Sequence, residues 1–388
     1  VHMHLQERGA VFGEAAGWER ANWFARVGQE HAYRHDWQRQ NWFQNQWDEH
    51  RAMREGVGLL DMSSFGKIRV DGPGALSFLQ RVFAGDLDRP VGTITYGQML
   101  NECGGIECDL TVTRIGDSAF LLVVPAATVQ RDLAWLRRHL GDDMCIILDV
   151  TAAEAVFPLM GPRAREVMQA VSPDDFSNAA FPFGTARDIE LGMGLVRAHR
   201  VSYVGELGWE IYASTDQAAH IFETLLDAGE AFDLRLAGLH AMDSCRIEKA
   251  FRHFGHDITD EDHVLEAGLG FAVKTHAKEV FVGRDAVLRK REEGLERRLV
   301  QFMLEDPDPV LFHNEPVVRD GEIVGIVTSA NYGHTLGGAI GMGYVPCVGE
   351  NTDEVLASVY EIEIAGSRVQ ATASLAPMYD PKGARMKS

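Results

Sequence analysis

Two carboxylates stand two residues apart, just after a glycine pair, in residues 99–112, "MLNECGGIECDLTV". A carboxylate can hold or move a proton when it sits in a cleft that adjusts its acidity. Residues 96–100 and 106–114 read as two strands. The turn 101–105 joins them, its glycines free to take the positive φ of a short hairpin loop. Side chains alternate across a strand, so Ile106, Cys108, Leu110 and Val112 share one face. Glu107, Asp109, Thr111 and Thr113 share the other. The first face is core. On the second, the acids stand about 7 Å apart at roughly 3.3 Å of rise per residue. Either both are ordinary surface charges or one of them lines a cleft, and the local pattern leaves both readings open.

A third acid lies in residues 202–212, "SYVGELGWEIY". Gly205 and Gly208 mark a turn, and the strand after it points Glu210 away from Trp209 and Ile211. A carboxylate among aromatic residues suits a flat heterocycle with two N–H groups, because it accepts two parallel hydrogen bonds. The alternative is a strand with one exposed acid.

Other chemistries lack their residues. "GHTLGGAIGMGYV" (333–345) is glycine-rich, but it lies in a β-rich region with no helix expected after it, so it is no dinucleotide loop. No G-x-G-x-x-G, P-loop, nucleophile elbow or H-E-x-x-H is present. His253 and His256 have no further acids or cysteines to complete a metal shell, and none is expected. The five cysteines form no C-x-x-C pair, which suits reduced thiols in the cytoplasm. Cys108 is expected in the core rather than as a nucleophile.

The chain that must position these acids has 388 residues, enough for two or three domains. Its formal net charge of −20 argues against nucleic acid and against a polybasic membrane patch, and an anionic ligand would need local basic residues. No run of 18 apolar residues reads as a membrane span, and the start does not read as a signal peptide. Residues 9–47 hold five of the seven tryptophans and read as an aromatic-anchored segment packing against something else. Residues 47–58 read as helical, 67–70 as a strand and 75–83 as a helix. Strand and helix alternate to about residue 250, an α+β pattern, and 296–376 breaks into short strands with turns, an all-β domain.

With these residues placed, the chain resembles the tetrahydrofolate-dependent aminomethyltransferases along nearly its whole length. That family includes the T-protein of the glycine cleavage system and the folate-binding C-terminal halves of dimethylglycine and sarcosine dehydrogenases. The matching stretches are "GLLDMSSFGKIRVDGPGA" (58–75), "YGQMLNECGGIECDL" (96–110), "GELGWEIY" (205–212), "AGLHAMDSCRIEKAF" (237–251), "LEAGLGFAVK" (265–274), "FVGRDAV" (281–287) and "GIVTSANYGHTLGGAIGMGYV" (325–345). Seven such pieces in order are specific, and "GAVFGEAAGWERANWF" (9–24) is similar to the segment joining the halves of the dehydrogenases.

The resemblance implies an α+β, three-domain cloverleaf around a central folate channel, with a small all-β C-terminal barrel. It implies a Trp-rich linker-like segment at 1–47 and a discontinuous first folate-binding domain at 48–65 and 151–280. A second domain at 66–150 would carry Asp109, and the barrel would span 281–388. Asp109 takes the place of the family's chemical acid beside the folate nitrogens, with Glu107 a neighbour. Glu210, Tyr203, Tyr96, Met62, Arg246 and Tyr332 take folate-binding places. The implied function is capture of a methylene or methyl group from a small methylated amine such as dimethylglycine or sarcosine, giving 5,10-methylenetetrahydrofolate. A flavin dehydrogenase domain or subunit is the implied partner. Alternatives on the same scaffold are a tetrahydrofolate-dependent methyltransferase or demethylase, and a non-enzymatic folate-binding assembly factor. Three departures stand out. Cys108 replaces a second aspartate common in T-proteins, Pro125 replaces a folate-contacting asparagine, and Met242 replaces an arginine.

Overall fold

The computed structural model describes residues 1–274 and 280–388; the expected first-domain limit at 280 takes in residues 275–279, which lie outside the described residues. Two mixed layers, a barrel and an N-terminal hairpin make up the chain. The first sheet runs, edge to edge, Ala186–Leu191, Gly194–His199, Gly208–Ser214, Glu154–Met160, Gly58–Leu59 and Arg235–Leu236. The second runs Ile94–Leu100, Ile106–Gly116, Ala119–Val124, Gly66–Asp71 and Ile146–Asp149, all antiparallel. Six antiparallel strands between Arg297 and Ser374 close into a barrel, so the α+β class and all-β C-terminal domain expected from the pattern are what the chain adopts.

Each sheet buries one face under helices. Trp209, Ile211 and Ala213 pack with Val167, Met168, Ile221 and Phe222 of the helices Ala164–Val171 and Ala218–Gly229. On the second sheet Cys108, Leu110 and Val112 meet Phe78, Leu79, Leu133 and Leu136 of the helices Ala75–Val82 and Val129–Leu140. Both helix pairs carry apolar residues at three- and four-residue spacing, which lays a stripe on the sheet.

The opposite faces of the two sheets meet each other. Leu121 and Val123 lie across from Thr113 and Thr111, so they share the face of Asp109. They join one cluster with Val156, Met160 and Tyr212 of the first sheet, with Met62, and with Ala241 and Cys245 of the helix Leu239–Glu248. Glu210 shares the face of Tyr212, two residues along. Both acids therefore stand on the two sheet faces that look into this seam.

The Trp-rich segment is a staple across the helix Leu239–Glu248. Its hairpin, Ala10–Ala15 and Trp18–Phe24, presses Asn22 so close to Gly238 that a Cβ there would fall 2.2 Å from the Asn22 carbonyl. Glu49, on the helix Phe43–Glu55, accepts from the main-chain N–H of Phe24 (2.7 Å) and Gly238 (2.8 Å), joining hairpin to helix. Trp23 is fully buried, and Trp42 stacks on His240 with centroids 5.4 Å apart. Trp37 departs from the expectation of anchoring: it is 93% exposed, on a loop that packs through Tyr33 and Trp42 instead. No helix among the described residues is long and apolar enough to cross a membrane.

Candidate active site

The hairpin that carries Asp109 sets it opposite Gln98, whose Nε2 donates to Oδ1 at 2.8 Å. Tyr96, across from Thr111 on the same face, acts on Asp109 electrostatically. Burial pushes the Asp109 carboxyl up to about 6, against the pull of Gln98, Tyr96 and the Arg252 charge. The same burial and the Asp109 charge raise the Tyr96 phenol well above its ordinary range, although 37% of Tyr96 remains accessible. Tyr203 is half-buried with its phenol raised by burial, and its hydroxyl donates to the Arg252 carbonyl at 2.9 Å. Tyr203 and Arg252 both act electrostatically on the Asp109–Tyr96 pair, so these four groups form one cluster.

Glu107 goes elsewhere. Its carboxylate is paired with Arg131 at 2.6 Å, so of the two neighbouring acids only Asp109 is left without an ion pair among the described residues. Cys108, 1% exposed, faces the helix side, where burial and the Asp132 charge push its thiol well up.

On the first sheet Glu210 accepts from the Tyr212 hydroxyl at 2.8 Å through Oε2. Oε1 has no protein donor among the described residues. Burial holds Glu210 at about 6, opposed by the Tyr212 bond. His199, directly across from Glu210, lies against the Tyr212 ring (centroids 4.3 Å) and is pushed by burial down to about 3, hence neutral. A half-satisfied carboxylate facing a seam fits a ligand with paired N–H donors.

The other sequence-expected residues separate into three environments. Met62 is buried in the seam cluster itself. Arg246 is fully buried, with Nε on Asp243 (2.6 Å) and Nη1 on Asp257 (3.1 Å), Ser329 and the Phe251 carbonyl. It ties helix to barrel and biases Tyr203 through its charge. Tyr332 packs with Phe43 (4.9 Å) and His334 (5.0 Å), beside the N-terminal segment rather than against Asp109. Gln98, Tyr212 and Arg252 were not singled out by the sequence reading. Period-two alternation could have found the first two, each on the same face as its acid. Arg252 lies in a loop and gave no periodic signal. Among the described residues no group of His, Cys, Asp and Glu is arranged to hold a metal. A separate surface cleft of about 340 Å³, lined by Arg51, Glu55, Arg163, Asp233 and Arg235 among others, contains none of the site residues.

Residues 1–277 match the GCVT N-terminal domain, and residues 297–380 match the glycine cleavage T-protein C-terminal barrel domain. The chain is 41% identical over 387 residues to 4-methylaminobutanoate oxidase (formaldehyde-forming) of Paenarthrobacter nicotinovorans, covering all of this chain and 46% of that protein. It is 33% identical over 429 residues to mitochondrial sarcosine dehydrogenase of Homo sapiens, covering all of this chain and 47% of that one. It is 37% identical over 300 residues to the aminomethyltransferase of Halothermothrix orenii, covering 76% of this chain and 82% of that one. The solved glycine cleavage system aminomethyltransferase T from Bartonella henselae superposes with a TM-score of 0.83 at 26% identity, over 98% of this chain and 97% of that chain. The chain thus spans about half the length of the oxidase and the dehydrogenase.

Proposed function

Because the chain belongs to the glycine cleavage T-protein family, we propose that it transfers a one-carbon unit from an N-methylated amine to tetrahydrofolate. The observation that carries this reading is the shared seam: a half-satisfied Glu210 on one sheet and a raised, unpaired Asp109 on the other look into the same interior.

Tetrahydrofolate, when bound, supplies the nucleophilic nitrogens that take up the one-carbon unit, and 5,10-methylenetetrahydrofolate is the proposed product. Glu210 would hold the pterin edge, accepting N–H donors at Oε1 while Tyr212 fixes its other oxygen. Met62 would form an apolar wall, and Tyr96 and Tyr203 would border the opening. Arg246, held through Nε by Asp243 and through Nη1 by Asp257, would position Tyr203. Asp109, oriented by Gln98, would accept a proton and offset positive charge on the reacting centre. Tyr332 would stand at the outer rim of the site.

The amine would be oxidised on a flavin carried by another domain or subunit. Two facts support this: the oxidase and dehydrogenase relatives are about twice as long, and this chain has no dinucleotide fingerprint.

The test is titration with tetrahydrofolate, followed by a product assay that separates methylene- from methyl-tetrahydrofolate during turnover of dimethylglycine or sarcosine with a flavin dehydrogenase supplied to oxidise the amine. Absence of folate binding would overturn the proposal, and a methyl product would replace it with methyl transfer.

A pH dependence follows from Asp109. As a base it works only when ionised, and burial places its midpoint at about 6. kcat at saturating tetrahydrofolate is expected to fall tenfold per pH unit below about pH 6 and to level off above it. Glu210 titrates in the same range, so the tetrahydrofolate Kd should weaken below about pH 6 as well. Measuring both profiles separates the two acids, because only the first limb survives at saturating folate.

A further inference from the structure

Arg252 follows the helix Leu239–Glu248 and is half-buried. Its guanidinium is fixed by main-chain carbonyls, Nε donating to Ala267 (2.9 Å) and Nη1 to Ala250 (2.6 Å). Nη2 is seated against Gly268, whose φ is +72°, and a Cβ there would stand only 2.7 Å from that nitrogen. The fold has made room for this side chain.

Of the three buried arginines among the described residues, Arg246 is neutralised by Asp243 and Asp257 and Arg54 by Glu206 and Glu248, while Arg200 donates to Phe181 and Ser388. Among the described residues Arg252 has no ion pair, and its Nη2 has no acceptor. A fixed, half-buried guanidinium without a counter-ion is costly, and in a chain of formal net charge −20 the absence of a partner is conspicuous. Arg252 also lies close enough to Asp109 and Tyr96 to act on both. Aromatic rings border the place: Phe271, 77% exposed, stacks on Tyr96 at 6.3 Å, and Phe251 stacks on Tyr203 at 6.0 Å. The ensemble is a cation, an anion and apolar rings within one opening.

We propose that Arg252 is a carboxylate-binding subsite that receives the acid group of an N-methylated amino acid and turns the donor's cationic nitrogen toward Asp109. The proposal rests on the one-carbon-transfer reading and adds the class of donor: a zwitterionic amino acid rather than a simple amine or free formaldehyde. A glutamyl carboxylate of the folate carries the same chemistry. The place of Arg252 beside the reacting acid favours the donor, because a benzoyl ring separates the folate's glutamate from its reacting nitrogens.

The test uses the full chain without folate, titrated by NMR with N,N-dimethylglycine and with N,N-dimethylethylamine, which lacks the carboxylate. The wild type is expected to bind dimethylglycine about tenfold more tightly, the scale of one charge-assisted hydrogen-bonded pair. Arg252→Met should erase the difference and Arg252→Lys should keep part of it. Gly268→Ala, which displaces the guanidinium without removing it, should weaken dimethylglycine too and carries the test if Arg252→Met does not fold. Tetrahydrofolate and 6-methyltetrahydropterin, titrated separately, should bind all folded variants within about twofold of wild type. Equal binding of the two amines by the wild type would overturn the proposal. So would an Arg252→Met chain that loses tetrahydrofolate but not 6-methyltetrahydropterin, since the subsite would then serve the folate tail. A wild type that binds neither pterin but still discriminates between the amines would sink the folate reading and leave the subsite standing.

Discussion

Asp109→Asn is expected to lower turnover at saturating tetrahydrofolate by about 10²-fold or more, the usual scale for loss of a general base. The substitution is nearly isosteric, and the Asn carbonyl can still accept from Gln98 Nε2, so local geometry is retained. What disappears is the charge and the proton acceptor. Stability moves the other way. Burial raises the Asp109 carboxyl from its ordinary 3.8 to about 6, so the folded chain prefers it protonated. The stability tied to that preference is present at low pH and is lost as pH rises through about 6. At neutral pH the Asn variant, never ionised, should therefore melt at the same temperature as wild type or higher. A catalytic defect in a chain at least as stable cannot be ascribed to unfolding. Unchanged turnover with folate saturating would remove Asp109 from the mechanism.

Removing the Glu210 charge should act on binding instead. Glu210→Gln keeps an acceptor for the Tyr212 hydroxyl but loses the anion facing the seam. Hydrogen bonds to a charged group contribute about 1.5–3 kcal/mol. The tetrahydrofolate Kd is thus expected to rise about 10- to 100-fold, with saturated turnover changed by less than about threefold. Glu210→Ala should bind more weakly still, because the Tyr212 hydroxyl would be left buried without its partner. Equilibrium titration of both variants is the measurement. A Kd within twofold of wild type for both would show that Glu210 is a structural acid.

How much of this was readable in the chain depended on periodicity. The face of Asp109 followed from strict alternation between Ile106 and Thr113, and that face is the one the seam covers. Glu210 was legible for the same reason, flanked by two residues that belong to the opposite core. Which of Glu107 and Asp109 is free was not legible. The answer depends on Arg131, which reaches Glu107 from a helix some twenty residues on and leaves Asp109 alone. Long-range partners of that kind leave no mark on local pattern. Arg246 shows the same limit: its place in a family motif points to a ligand contact, and only the structure places Asp243 on its Nε and Asp257 on its Nη1. The Trp-rich segment was correctly expected to pack, but only the three-dimensional arrangement showed that Trp37 stays outside while Trp23 is enclosed.

The two acids are held by different sheets, whose facing side chains share one cluster with the helix Leu239–Glu248. The arrangement works like a caliper, with Glu210 on one jaw and Asp109 on the other. On the proposed reading, a heterocycle would have to reach both. On that reading, trimming Leu121, which packs in the shared cluster, would change the spacing between the sheets without altering either acid.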